Sequence, residues 1–245
     1  MIETITILGK SISLYYLFWF LAVIVALILG ILLAKNYCFT YSKAITIVAI
    51  AITGGYLLIW ATSWAFGGGK LSGFNLVRSV AFLPLLYFFL ARLFNISYGK
   101  MTDFLAPVGV SCFGVTHFGC VFTGCCHGYS SSWGIYSNVV NTVCFPIQIV
   151  EAIVSLMIGG TMFYMAKRGI QKGRLLSWMM VTFGFTRFVL EFFRDNDKII
   201  FNISELALHA LATMLVGLFM LMFYNYKNSK KILKEDCDNE KIEHG

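Results

Sequence analysis

The chain has 245 residues, 58% of them apolar and 13% charged, with mean hydropathy +0.77. Soluble domains run at about 45–50% apolar and about 25% charged, so a soluble globular domain is excluded, and so is a membrane β-barrel, which would alternate polar and apolar residues in short segments. The formal charge of +7 does not argue for nucleic acid as a partner, because the Lys/Arg bias of cytoplasmic loops accounts for it.

Seven apolar segments follow along the chain: 13–34, 44–66, 75–94, 103–126, 145–166, 174–193 and 204–226. Each approaches the roughly 20 residues that a bilayer core requires of a helix. The first is too long for the hydrophobic region of a cleaved leader, and no small-residue cleavage pattern follows it, so it is read as retained. Lys35 and Lys43, then Arg92 and Lys100, then Lys167, Arg168, Lys172 and Arg174, then Lys227, Lys230, Lys231 and Lys234 fall on one side. Lys10, Lys70, Arg194 and Lys198 fall on the other. That asymmetry puts the N-terminus outside and the C-terminus in the cytoplasm. The loop 127–144 is then external; it has no Lys or Arg and is rich in Ser and Asn. Residues 228–245 form a short polar cytoplasmic tail, and no repeat or linker divides the chain. The predicted fold class is all-α: one polytopic membrane domain, 1–245, of about seven transmembrane helices.

Ionisable side chains inside membrane segments are costly and mark function by default. Here they are Arg78, His117, Glu151, Arg187, Glu191 and Arg194. With the topology above, all of them fall in the outer half of the bilayer, which predicts one polar cavity opening outward. Arg187, Glu191 and Arg194 are spaced by four and three, so a continuous helix would carry them on one face. Two guanidinium groups held by a carboxylate suit a phosphate, because Arg offers planar, paired donors. The alternative is an ion-pair ladder that only locks helices together. Gln148 and Glu151, three apart, also share a face; they line the same cavity or bond neighbouring helices. Arg78 either joins the cavity or extends to the outer headgroups.

At the end of the fourth segment, and running into the loop after it, lies Gly119-Cys120-Val121-Phe122-Thr123-Gly124-Cys125-Cys126-His127-Gly128. Lipid-facing helices favour Leu, Ile, Val and Phe, so a run of glycine and thiol signals close backbone approach, chemistry or both. Cys125 or Cys126 could pair with Cys144 in an oxidising exterior. A ligand set of His117, Cys120, Cys126 and His127 does not match a standard zinc spacing, so no metal and no cofactor is assigned.

These motifs resemble those of the prolipoprotein diacylglyceryl transferase family over 92 residues, from Asp103 to Arg194. The Gly119–Gly128 stretch, with Trp133-Gly134 following, is similar to the family's Gly-Arg-Ile-Gly-Cys/Asn-Phe signature. Pro146-Ile147-Gln148-Ile149-Val150-Glu151 is similar to its His-Pro-x-Gln-Leu-Tyr-Glu. Phe183-Gly184-Phe185-Thr186-Arg187-Phe188-Val189-Leu190-Glu191-Phe192-Phe193-Arg194 is similar to its Tyr-Gly-x-x-Arg-Phe-x-x-Glu-x-x-Arg. The resemblance implies a multi-pass enzyme of the bacterial cytoplasmic membrane. It would move diacylglyceryl from phosphatidylglycerol to the lipobox cysteine of a prolipoprotein at the outer leaflet, releasing glycerol phosphate. For that reaction the expected catalytic pair in this chain is His117, as proton acceptor, and Glu191. The expected substrate contacts are Arg187, Arg194, Gln148, Glu151, Arg78, Gly119, Cys120 and Gly124. The chain departs from the family where His117 replaces Arg, where Phe145 replaces His before Pro146, and where Phe66-Gly67-Gly68-Gly69-Lys70 lacks the His of a His-Gly-Gly segment. Two other classes remain: a membrane thiol–disulfide oxidoreductase using Cys120, Cys125, Cys126 and Cys144, and an inactive lipid-binding paralogue.

Overall fold

A computed structural model describes residues 4–7, 10–67, 76–196, 198–200 and 203–243, with side chains described for 13–67, 76–196 and 203–226. Gly68, Gly69 and Lys70 of the glycine segment, and the side chains of the polar tail with Cys237, lie outside the described residues. The helices are α1 (Leu14–Ala34), α2 (Tyr41–Phe66), α3 (Leu76–Val80), α4 (Leu83–Leu93), α5 (Tyr98–Thr123), α6 (Ile147–Arg168), α7 (Leu175–Glu191) and α8 (Glu205–Glu243). Among the described residues there are three antiparallel hairpins: β1 (Thr4–Ile7) with β2 (Lys10–Ser13) before α1, β3 (Ser130–Ser137) with β4 (Thr142–Cys144) between α5 and α6, and β5 (Lys198–Ile200) with β6 (Ile203–Ser204) between α7 and α8.

Among the described residues, five helices are long and apolar enough to cross a membrane: Leu14–Tyr37, Tyr41–Phe66, Tyr98–Thr123, Ile147–Arg168 and Glu205–Tyr226. The predicted segment 75–94 is instead two short helices, with a turn at Ala81 and Phe82. Pro84 explains the restart: it has no N–H to give a continuing helix but fits the first turn of α4, where that donor is unused. The predicted segment 174–193 is α7, a 17-residue helix, about 25 Å long at 1.5 Å per residue.

Helix α5 is the centre. Its apolar window is 72% buried, against 17–33% for the other four spans, so the neighbours surround it and face outward themselves. Close approach comes from small residues. A Cβ on Gly114 would lie 2.8 Å from Leu156 of α6, and one on Gly119 would lie 3.3 Å from the Tyr15 backbone of α1. Leu33, Ile47, Met101, Phe104 and Leu176 fill the core at one end. There Asp103 of α5 accepts hydrogen bonds from the backbone N–H groups of Gly173 and of Leu175, the latter at 3.0 Å. A carboxylate on one helix thus caps the first turn of α7, and this sets α7 against α5.

Candidate functional site

At the other end of α5, α6 and α7 the ionisable groups meet. Helix α5 ends where Gly124 takes a left-handed conformation (φ +69°), which costs glycine nothing and lets the chain turn back. The β3–β4 hairpin is stitched to that turn by the Ser137 hydroxyl, which donates to the Gly124 carbonyl at 3.2 Å. The hairpin runs into α6 through Pro146, so Gln148 falls in the first turn and Glu151 one turn on. The Gln148 side chain donates to the Cys125 carbonyl at 2.9 Å.

Glu151 is the hub. Its Oε2 lies 2.7 Å from His117 Nε2 and also pairs with Arg194 Nη2, while its Oε1 lies 2.9 Å from Arg187 Nε. Glu191 lies 2.5 Å from Arg187 Nη1 and 3.8 Å from Arg194 Nε through its Oε2. Its Oε1 accepts from Ser204 at 2.8 Å and from Asn196. All five residues are under a tenth exposed. Two carboxylates balance two guanidinium groups, so the cluster stays neutral overall when His117 is neutral. That balance makes its burial tolerable. The short contact to Glu151 assigns the His117 proton to Nε2, which donates it. The lone pair is then on Nδ1, and the 3.2 Å approach of Arg194 Nη2 is a close contact between two donors.

Arg194 reaches the hub differently from the helical-face expectation. Helix α7 stops at Glu191, and the chain turns so that Arg194 bridges Gly128 as an isolated strand pair. The Tyr129 N–H donates to the Phe193 carbonyl at 3.2 Å, and Tyr129 stacks on Phe145 and Phe193. The Arg194 guanidinium then donates to the Cys126 carbonyl at 3.1 Å as well as pairing with Glu151. Asn196 and Ser204, which hold Glu191, carried no signal in the sequence beyond their proximity to it.

Several donors in the hub are paired by charge without aligned hydrogens: Arg187 Nε and Nη1, and Arg194 Nε. A shallow groove, too tight to admit a water molecule, flanks them between α6 and α7, lined by Glu151, Ser155, Ile158, Phe183, Thr186, Arg187 and Leu190. A second small hollow lies beneath the hairpin among Gly124, His127, Cys144 and Gln148.

Arg78 stands elsewhere. It pairs at 2.9 Å with Glu205 of α8, which is 3.4 Å from His209, and its Nε and Nη1 have no aligned partner. Glu205 and His209 are a further i, i+4 pair that the sequence reading passed over. Gly119 lies at the α1–α5 contact and Cys120 is buried one residue on. The six described cysteines are all free, and Cys144 hydrogen-bonds within its own strand, to Thr142, rather than to Cys125 or Cys126. Cys126 lies beyond the end of α5 and is exposed.

The family model for prolipoprotein diacylglyceryl transferase matches residues 3–223. A relative named phosphatidylglycerol–prolipoprotein diacylglyceryl transferase 2, from Clostridium perfringens, is 26% identical over 106 residues, which are 40% of this chain and 41% of that protein. The match thus spans about two fifths of that relative's length. The match over residues 3–223 takes in the hub, all of α1–α7 and most of the α8 span, so this chain belongs to the prolipoprotein diacylglyceryl transferase family.

Proposed function

We propose that this protein transfers the diacylglyceryl group of phosphatidylglycerol to the lipobox cysteine thiol of a prolipoprotein, at the outer leaflet of the bacterial cytoplasmic membrane. The observation that carries the reading is the buried hub of Glu151, Arg187, Glu191, Arg194 and His117. A buried set of Arg side chains with unaligned donors suits an anion that exchanges places with a carboxylate. The groove between α6 and α7 is closed to water and walled by Phe183, Ile158 and Leu190; in this reading those side chains part to let a lipid headgroup reach Arg187 from the side of the bilayer. In this reading the chain makes seven passes, with its N-terminus outside and the hub toward the outer face.

The chemistry follows from the groups. The acceptor thiol gives its proton to His117 Nδ1, and the thiolate attacks the diacylglyceryl carbon that bears the phosphodiester oxygen. A C–S bond forms as the C–O bond breaks, and the electron pair leaves on the glycerol phosphate. Arg187 and Arg194 stabilise that growing charge, an effect worth about 10²–10³ in rate for a single well-placed donor. Glu191 and Glu151 position the two guanidinium groups, and Gln148 ties the cavity wall to the α5 turn. Gly119, Cys120 and Gly124 shape the wall beside His117. Arg78 contacts headgroups apart from the reacting atoms.

The test is purified protein in micelles with glycerol-labelled phosphatidylglycerol and a lipobox peptide. Labelled glycerol phosphate should appear only when the peptide carries its cysteine. Release without the cysteine would point to a lipase, and no release to a lipid-binding paralogue. A second reading, thiol–disulfide exchange by Cys120, Cys125, Cys126 and Cys144, draws on the Cys120 and Cys126 sulfurs, which lie within 4.8 Å of each other. Replacing all four with Ser would abolish redox activity, whereas lipid transfer would tolerate at least some of the replacements.

A further inference from the structure

The thiols beside the hub take no part in that chemistry. Cys120 follows His117 by three residues on α5, so the two side chains share a face. The turn at Gly124 carries the chain back over that face. The ligand atoms of His117, Cys120 and Cys126 then lie within 4.8 Å of one another. Cys126 holds a left-handed backbone (φ 58°) that a residue with a Cβ adopts only under constraint. The spacing along the chain is not a standard zinc pattern. It is the turn that assembles the group, and His127, the fourth residue the sequence suggested, is not in it.

We propose that His117, Cys120 and Cys126 form a site for a soft or borderline divalent cation of the zinc class, with the fourth position open to solvent. Metal–sulfur bonds of about 2.3 Å in a tetrahedron put ligand atoms about 3.7 Å apart, so a closure of roughly 1 Å by side-chain rotation completes the site. The imidazole is already held: Nε2 donates to Glu151 at 2.7 Å, the carboxylate–histidine arrangement that orients metal-binding histidines, and Nδ1 is left as ligand. Cys126 is exposed and gives the ion a path in. Charge also closes. On binding, Cys120 and Cys126 each release a proton to solvent, and two thiolates cancel the ion's two charges. The hub's own balance of two Arg and two Glu is untouched, so the neighbouring Arg194 does not repel the filled centre.

The binding site stands independently of the transferase reading. Where that reading holds, a bound ion takes the Nδ1 lone pair that accepts the thiol proton, and transfer is blocked. The test is the full chain in micelles, reduced and stripped of metal, titrated with Cd²⁺ while the ultraviolet thiolate-to-cadmium absorption is followed. Saturation at one ion per chain, with displacement by Zn²⁺, is expected. Cys120→Ser and Cys126→Ser should each weaken binding by more than the roughly 10–100-fold that loss of an outer-shell partner costs, and Cys38→Ser should not weaken it. Zn²⁺ should also slow alkylation of Cys126 but not of Cys38, a comparison made within the unmutated protein and so free of folding effects. An absorption that does not saturate at one equivalent, that survives the double Cys120→Ser, Cys126→Ser change, or that leaves Cys126 alkylation unaltered would overturn the site.

Discussion

Arg187 and Lys are the sharpest comparison at the scale of single residues. Arg187 meets Glu151 through Nε and Glu191 through Nη1, a two-sided contact that a single ammonium cannot reproduce. Arg187→Lys keeps the charge that the two carboxylates need, so the fold should hold, while transfer should fall about 10²-fold. Thermal unfolding in micelles beside a transfer assay checks both; an unchanged rate would remove Arg187 from the phosphate site. Glu151→Gln is the opposite case. It leaves both guanidinium groups short of a partner in a buried setting, and should cost about 3–5 kcal/mol of stability, read as a lowered unfolding midpoint. The sequence singled out each of these residues, because charges in apolar segments are conspicuous. It did not single out Glu151 as the hub, since which carboxylate two arginines choose depends on how three helices converge. Glu205 and His209 were missed for a simpler reason: they open the last apolar segment and read as its polar boundary.

Among elements, the α5–α7 relationship decides whether the hub forms. Asp103 caps α7 through the Gly173 and Leu175 amides, at the end of the bundle remote from the hub. Asp103→Ala should cost about 1–2 kcal/mol through the lost cap and speed hydrogen exchange at those two amides ahead of the rest of α7. Uniform exchange along α7 in the variant would show that other contacts hold the helix start. Apolar length alone made α1, α2, α5, α6 and the apolar part of α8 legible. The break between α3 and α4 was not legible from hydropathy, because the turn at Ala81 and Phe82 changes backbone direction without changing polarity; Pro84 was the available signal. The end of α7 at Glu191 was hidden in the same way. Three residues of continued helix looked natural from spacing, yet Arg194 leaves the helix because its backbone pairs with Gly128 in the loop after α5, a contact between segments 66 positions apart that no local pattern announces.

For the molecule as a whole, the proposed orientation has a direct consequence. Cys38 follows α1 and Cys126 follows α5, and both are exposed. With the N-terminus outside, an impermeant maleimide applied to intact cells should label a variant whose only cysteine is Cys126. It should spare one whose only cysteine is Cys38 until the membrane is opened. The reverse pattern would turn the hub toward the cytosol and detach it from an outer-leaflet reaction. Lysine and arginine placement along the loops was enough to raise this orientation and to put the ionisable groups of α5, α6 and α7 at one depth, while the pairing that joins them needed the three-dimensional packing around small residues such as Gly114 and Gly119.

The central claim, that the Arg–Glu hub handles the lipid phosphate during transfer, is tested most directly by mass spectrometry of one reaction mixture. The lipobox peptide and free glycerol phosphate are quantified together for the unmutated protein and for Arg187→Lys. Equal molar gain of diacylglyceryl on the peptide and of glycerol phosphate in solution, both reduced about 10²-fold in the variant, is the predicted result. Equal and undiminished products from the variant, or glycerol phosphate without modified peptide from the unmutated protein, would contradict it.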